Sequence, residues 1–112
     1  MKIVFTAKGM DWDSPMDPRF GRTDFILLFD EEKGELTHYD NRAIENEAHG
    51  AGPKTAQLLF DLKADVLITG NGPGGNAETV LRTGGIKIYA GAGQYTVKEA
   101  LSAYHKNELE EF

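Results

Sequence analysis

At 112 residues the chain can build one hydrophobic core but not two, so residues 1–112 are expected to form a single domain. Twelve Lys and Arg against eighteen Asp and Glu give a formal net charge of −6, which sets long-range repulsion against nucleic acids and anionic membranes. With no cysteine, the chain cannot form disulfides, a thiolate-bound zinc site or a permanent iron-sulfur cluster on Cys ligands.

The amino-terminal MKIVFTAKGMDWD contains a short β-branched and aromatic run, Ile3 to Ala7. It reads as a first strand ending near Gly9 and not as a signal peptide. No segment approaches the roughly 20 apolar residues that span a bilayer, and a cytoplasmic location is expected. A long loop follows, containing two prolines and the aspartates Asp11, Asp13 and Asp17; loops of this length are usually functional or mobile. It leads through Asp24 to a second strand, FILLFD, Phe25 to Asp30. The DEEKGE turn, containing Gly34, joins this strand to ELTHYDN, whose alternating pattern fits a hairpin edge strand.

Beyond Asn41 the periodicity becomes helical. HGAGPKTAQLLFDLKAD predicts a helix with Pro53 at its first position and Ala56, Leu59, Phe60 and the stem of Lys63 on one side. DVLIT is a continuous apolar run suited to a strand covered on both faces. A glycine loop and a short helix come next (GNGPGGNAETVLRTGG), then the strand IKIYA and a closing helix over TVKEALSAYHKNELEEF. In that last helix Thr96 and Glu99 have capping-box spacing, and Val97, Ala100, Leu101 and Tyr104 form an apolar stripe. The element order βββαβαβα predicts an α/β fold, a mixed five-stranded sheet with helices on its faces.

Three stretches bear on chemistry. Gly70 to Gly75 satisfies G-x-G-x-x-G between a strand and a helix, yet no acidic residue follows about 20 positions later to hold a ribose. The glycines then either permit a tight turn or present backbone N–H groups and a helix N-terminus to some other anion. His49 stands in HGAGP, where an imidazole beside flexible glycines can ligate a metal, donate to an anion or fill a loop. His38 and His105 are expected at the surface. In DPRFGRTDF, Arg19 and Arg22 are either solvated loop residues or partners for Asp17 and Asp24, or they grip an anionic ligand. The Asp11, Asp13, Asp17 spacing lacks the glycine and terminal Glu of a calcium loop. There is no nucleophile elbow, HExxH, Walker lysine or convincing acid–base carboxylate pair, so the chain is expected to be non-catalytic.

DPRFGRTDFILLFD, the HGAG ahead of a helix, and ADVLITGNGPGGNAETVLRTGGIKIYAGAGQYTVKEAL together resemble single-domain members of the dinitrogenase iron-molybdenum cofactor biosynthesis family. These are nitrogenase accessory proteins that bind or carry the cofactor or its precursors, and the similarity covers essentially the whole chain. The resemblance implies a ribonuclease H-like three-layer fold with strand order 3-2-1-4-5 and strand two antiparallel. It also implies reversible binding of an iron-molybdenum cofactor or related iron-sulfur cluster by a metallocofactor-assembly protein, with an assembly or acceptor protein as partner. The cofactor-binding positions carried over are Arg19, Phe20, Gly21, Arg22, His49, Gly50, Gly72, Gly74 and Gly75, with His49 as the metal ligand. Arg19 stands where cofactor-binding members often have histidine. A small-anion or nucleotide-binding regulatory module is the alternative. Nuclease activity by fold analogy is disfavoured because KIVFTA carries no carboxylate and Asp65 begins its strand.

Overall fold

Five successive residues of the first strand, Ile3 to Ala7, are fully buried, which places this strand at the centre of the sheet. The computed structural model describes residues 1–45 and 50–112. Strand β1 (Lys2–Ala7) pairs antiparallel with β2 (Phe25–Asp30) on one side and parallel with β4 (Val66–Ile68) on the other. The hairpin through Gly34, whose φ of 67° suits a residue without a Cβ, sets β3 (Glu35–Asp40) antiparallel to β2. Strand β5 (Lys87–Ala90) adds in parallel beyond β4.

The five expected strands therefore follow the implied succession, but the sheet has six. Strand β6 (Glu110–Glu111) pairs antiparallel with β5, giving the order β3-β2-β1-β4-β5-β6. The closing helix is correspondingly shorter than its sequence suggests: α4 (Val97–His105) stops well before NELEEF. Asn107 adopts a φ of 59°, its N–H donates to Tyr104 O at 3.1 Å, and the Glu108 N–H donates to Ala103 O at 2.9 Å. This is a Schellman stop, which a run of good helix formers on either side conceals.

A four-residue helix, α1 (Arg42–Glu45), was not anticipated. Helix α2 (Ala51–Asp61) begins two residues earlier than expected, so Pro53 is its third residue. The missing proline N–H is tolerated there because the first turn's donors have no intrahelical acceptor. The buried stripe of α2 is Ala51, Thr55, Ala56 and Leu59; Phe60, expected on this face, is 42% exposed, and Lys63 lies beyond the helix end. Helix α3 (Gly75–Thr83) connects β4 to β5.

Period-two alternation along β1 divides the core. Val4 joins Ile26, Leu28 and Leu67 beneath α2 and α3, contributed by Ala56, Leu59, Ala77 and Leu81. Ile3 and Phe5 join Leu27, Val66 and Ile68 against Val97 and Ala100 of α4. Helices thus cover both faces of a mixed sheet. The capping box of α4 is formed in both directions, with Thr96 Oγ1 accepting the Glu99 N–H and Glu99 accepting the Thr96 N–H.

Candidate functional site

Because β1, β4 and β5 run parallel, the loops that follow them leave one edge of the sheet together. The chain from β1 turns toward β2, whereas the chain from β4 turns toward β5, so the topological switch falls between these two loops. In open α/β sheets that crevice is the usual ligand position. Here the loops touch: a Cβ on Gly70 would lie 2.5 Å from Pro18 Cα, and the Asn71 N–H donates to Pro18 O at 2.7 Å. Glycine at 70 is therefore required for the approach of the DPRFGRTD loop.

Asp17 organises that loop. Its side chain is fully buried and accepts from Arg19 Nε at 3.1 Å, Arg19 Nη2 at 2.9 Å, and the N–H groups of Arg19 and Asp24 at 3.0 and 3.1 Å. Its own N–H donates to Thr6 O, and its carbonyl accepts from Thr6 Oγ1, with Thr69 Oγ1 2.9 Å from that hydroxyl. Burial pushes the Asp17 carboxyl up, but the Arg19 side-chain and backbone hydrogen bonds, the Asp24 N–H and the guanidinium charge together hold it below its usual value of 3.8. Arg19, 48% exposed, also reaches Asp24 Oδ1 at 3.4 Å, so its charge is shared between two carboxylates. That is the pairing alternative read from the sequence. Arg22 is half-buried.

Phe20 belongs to the core beneath α2 and α3. The next residue makes a second close backbone contact. A Cβ on Gly21 would lie 2.7 Å from both Gly52 Cα and Gly52 N, and 3.1 Å from Ala51 C. The Gly21 carbonyl accepts from Thr55 Oγ1 at 2.8 Å and from Asn41 Nδ2 at 3.4 Å. Asn41 Nδ2 also reaches Thr23 O at 3.1 Å and Thr55 Oγ1 at 3.2 Å, whereas Asn41 Oδ1 is buried without a hydrogen-bond partner. Asn41 and Thr55 carry no motif. Their role emerges only when β3, α2 and the loop are brought together.

On its other side Gly52 packs toward α3, since a Cβ there would lie 3.4 Å from Ala77 Cβ. The Gly21 turn, the start of α2 and the start of α3 are therefore contiguous. Gly50, the N-cap of α2, has a φ of 78° and makes no side-chain cap; Gly74, the N-cap of α3, makes none either. Both helices thus present N-terminal N–H groups without a capping side chain, and the positive end of each dipole favours an anion. Gly74 and Gly75 are exposed, with open space where a Cβ would stand, while Gly72 lies beneath the ring of Phe112. His49 lies outside the described residues. His38 is exposed on β3, and His105 Nε2 lies 3.0 Å from Glu31 Oε2, far in sequence and fold from these loops.

Among the described residues no group of three or more His, Asp or Glu side chains is arranged to hold a metal ion. The donors assembled here are helix N-terminal N–H groups and a shared guanidinium, a set suited to an anion and not to enclosing a bare cation. No helix among the described residues is long and apolar enough to cross a membrane.

No curated protein matches the chain. Solved structures similar across almost its whole length include the following two. The apo form of the orange protein from Desulfovibrio gigas superposes with a TM-score of 0.92 at 32% identity, covering 99% of this chain and 92% of that one. A NifB-like protein from Thermotoga gives a TM-score of 0.83 at 34% identity, covering 98% and 91%. The family model described as dinitrogenase iron-molybdenum cofactor matches residues 1–107, and the chain belongs to that family.

Proposed function

We propose that this chain is a non-catalytic carrier that binds an iron-molybdenum cofactor or related iron-sulfur cluster reversibly and passes it to an acceptor during metallocofactor assembly. The observation that carries this reading is the contact of the Gly21 turn with Gly52, which sets the N-termini of α2 and α3 beside the DPRFGRTD loop. A sulfide-rich cluster with carboxylate appendages is anionic. Backbone N–H groups around Gly21, Gly50, Gly74 and Gly75, together with Arg19 and Arg22, supply the hydrogen bonds for its periphery, and His49 supplies an imidazole for one metal. Without thiolate ligands, attachment remains exchangeable, which suits cargo that must be handed on.

Anaerobic titration with isolated iron-molybdenum cofactor, followed by gel filtration and metal analysis, tests the proposal. The expected result is molybdenum and iron eluting with the protein, and displacement only at phosphate concentrations far above that of the cofactor. Protein that elutes free of metal refutes it. Equal competition by phosphate would assign the site to small anions instead.

A further inference from the structure

The chain covers part of its own glycine loop. A Cβ on Gly72 would collide with Phe112 Cε1 and Cζ, so the aromatic ring occupies the face that this glycine leaves bare. The segment bearing the ring is held at three points: β6 pairs with the β5 edge, the Phe112 N–H donates to Ile88 O at 2.7 Å, and Arg82 Nη2 donates to Phe112 O at 2.6 Å.

We propose that residues 110–112 form a displaceable strap over the glycine loop that leads into α3, with Phe112 on Gly72 as its latch. The proposal rests on the reading of this edge as the cluster site. Several features make the segment separable from the fold. Strand β6 has two residues, both exposed, and Phe112 is 44% exposed. Helix α4 is already terminated at Asn107, and Leu109 packs against the α4-side core, so the structure is anchored before the strap begins. A cavity of about 340 Å³ lies between residues 108–112 and Gly91, Gln94 and Tyr95, which leaves the strap loosely supported from below.

Closure opposes an anionic guest in two ways. The ring covers Gly72, one of the loop positions the cluster would use, and Glu110 and Glu111 give the strap itself negative charge. Closing the strap and binding the cluster are therefore competing events, and each must weaken the other to the same extent.

Two variants test this. Gly72 does not have the positive φ that disfavours other residues, so Gly72→Ala acts by displacing the ring, while Phe112→Ala removes the latch and leaves the loop unchanged. In Gly72→Ala, exchange of the Phe112 N–H with solvent should accelerate at least about tenfold, with the β1 and β4 amides retaining their protection. Phe112→Ala should bind isolated iron-molybdenum cofactor several-fold more tightly than the unaltered protein. A Phe112 amide that stays protected, a loss of protection throughout the sheet, or equal cofactor affinity in the two proteins would overturn the strap. Failure of every form to retain metal would refute the carrier reading instead, and the exchange measurement would then decide the strap alone.

Discussion

Replacing Gly21 with Ala tests the contact on which the site is built. The added Cβ would stand 2.7 Å from Gly52 N and Cα, against 3.4 Å or more for ordinary contact, so the DPRFGRTD loop and the first turn of α2 must separate by about 0.7 Å. Both neighbours are backbone, and no side chain can rotate away. Overpacking of this kind costs about 1–3 kcal/mol. Separation also lengthens the 2.8 Å bond from Thr55 Oγ1 to Gly21 O, and a weakened bond of that type adds about 0.5–1.5 kcal/mol. The combined loss is about 2–4 kcal/mol, which for a chain of this size lowers the melting temperature by roughly 10 °C. Gly75→Ala is the comparison: its Cβ meets open space at the first residue of α3, so its stability should stay within about 1 kcal/mol of the parent, in either direction. Thermal and guanidinium melts of the two variants decide the matter. A Gly21→Ala protein that melts within about 2 °C of the parent would refute the close approach.

Asp17→Asn removes the carboxylate that orders the loop and should cost about 1.5–3 kcal/mol at neutral pH, the range for hydrogen bonds to a charged group. Because the folded-state pKa of Asp17 is lowered, its contribution is fully present above 3.8 and disappears as pH falls through the lowered value, so urea melts of the two proteins should converge only in strong acid. A gap independent of pH would show that the charge is not its source. Thr55→Val deprives Gly21 O of its hydroxyl donor and should cost about 1–3 kcal/mol in chemical denaturation, whereas Thr55→Ser, which keeps the hydroxyl, should recover most of that loss. Thr96→Ala dismantles the α4 capping box and should cost about 1 kcal/mol by the same assay.

Much of the sheet could be read from the sequence because buried strands and turns carry local signals. FILLFD predicted β2 to the residue, and the Thr96 to Glu99 spacing predicted the start of α4. The end of α4 was hidden because its stop depends on the left-handed backbone of Asn107, flanked by residues that favour helix. Strand β6 was hidden for a related reason: two glutamates form a strand only because the β5 edge stands beside them. At the site, the sequence singled out the glycines and arginines of the loops. It offered the Arg19–Asp17–Asp24 pairing as one alternative without deciding between that and a ligand. The roles of Asn41 and Thr55 were invisible, since each acts on a carbonyl 18 to 34 residues away. Phe112 over Gly72 is the most distant of these relationships, a tertiary contact with no sequence spacing of its own.

The central claim is that a metal-sulfur cluster settles where the Gly21 turn meets the starts of α2 and α3. Anaerobic amide NMR of uniformly labelled protein, titrated with isolated iron-molybdenum cofactor, tests it most directly. The amide signals of Gly21, Gly52, Gly74 and Gly75 should shift or broaden first, while those of Lys98 and Leu101 on α4, across the sheet, remain in place. Perturbations centred on α4, or a spectrum unchanged by excess cofactor, would contradict the account.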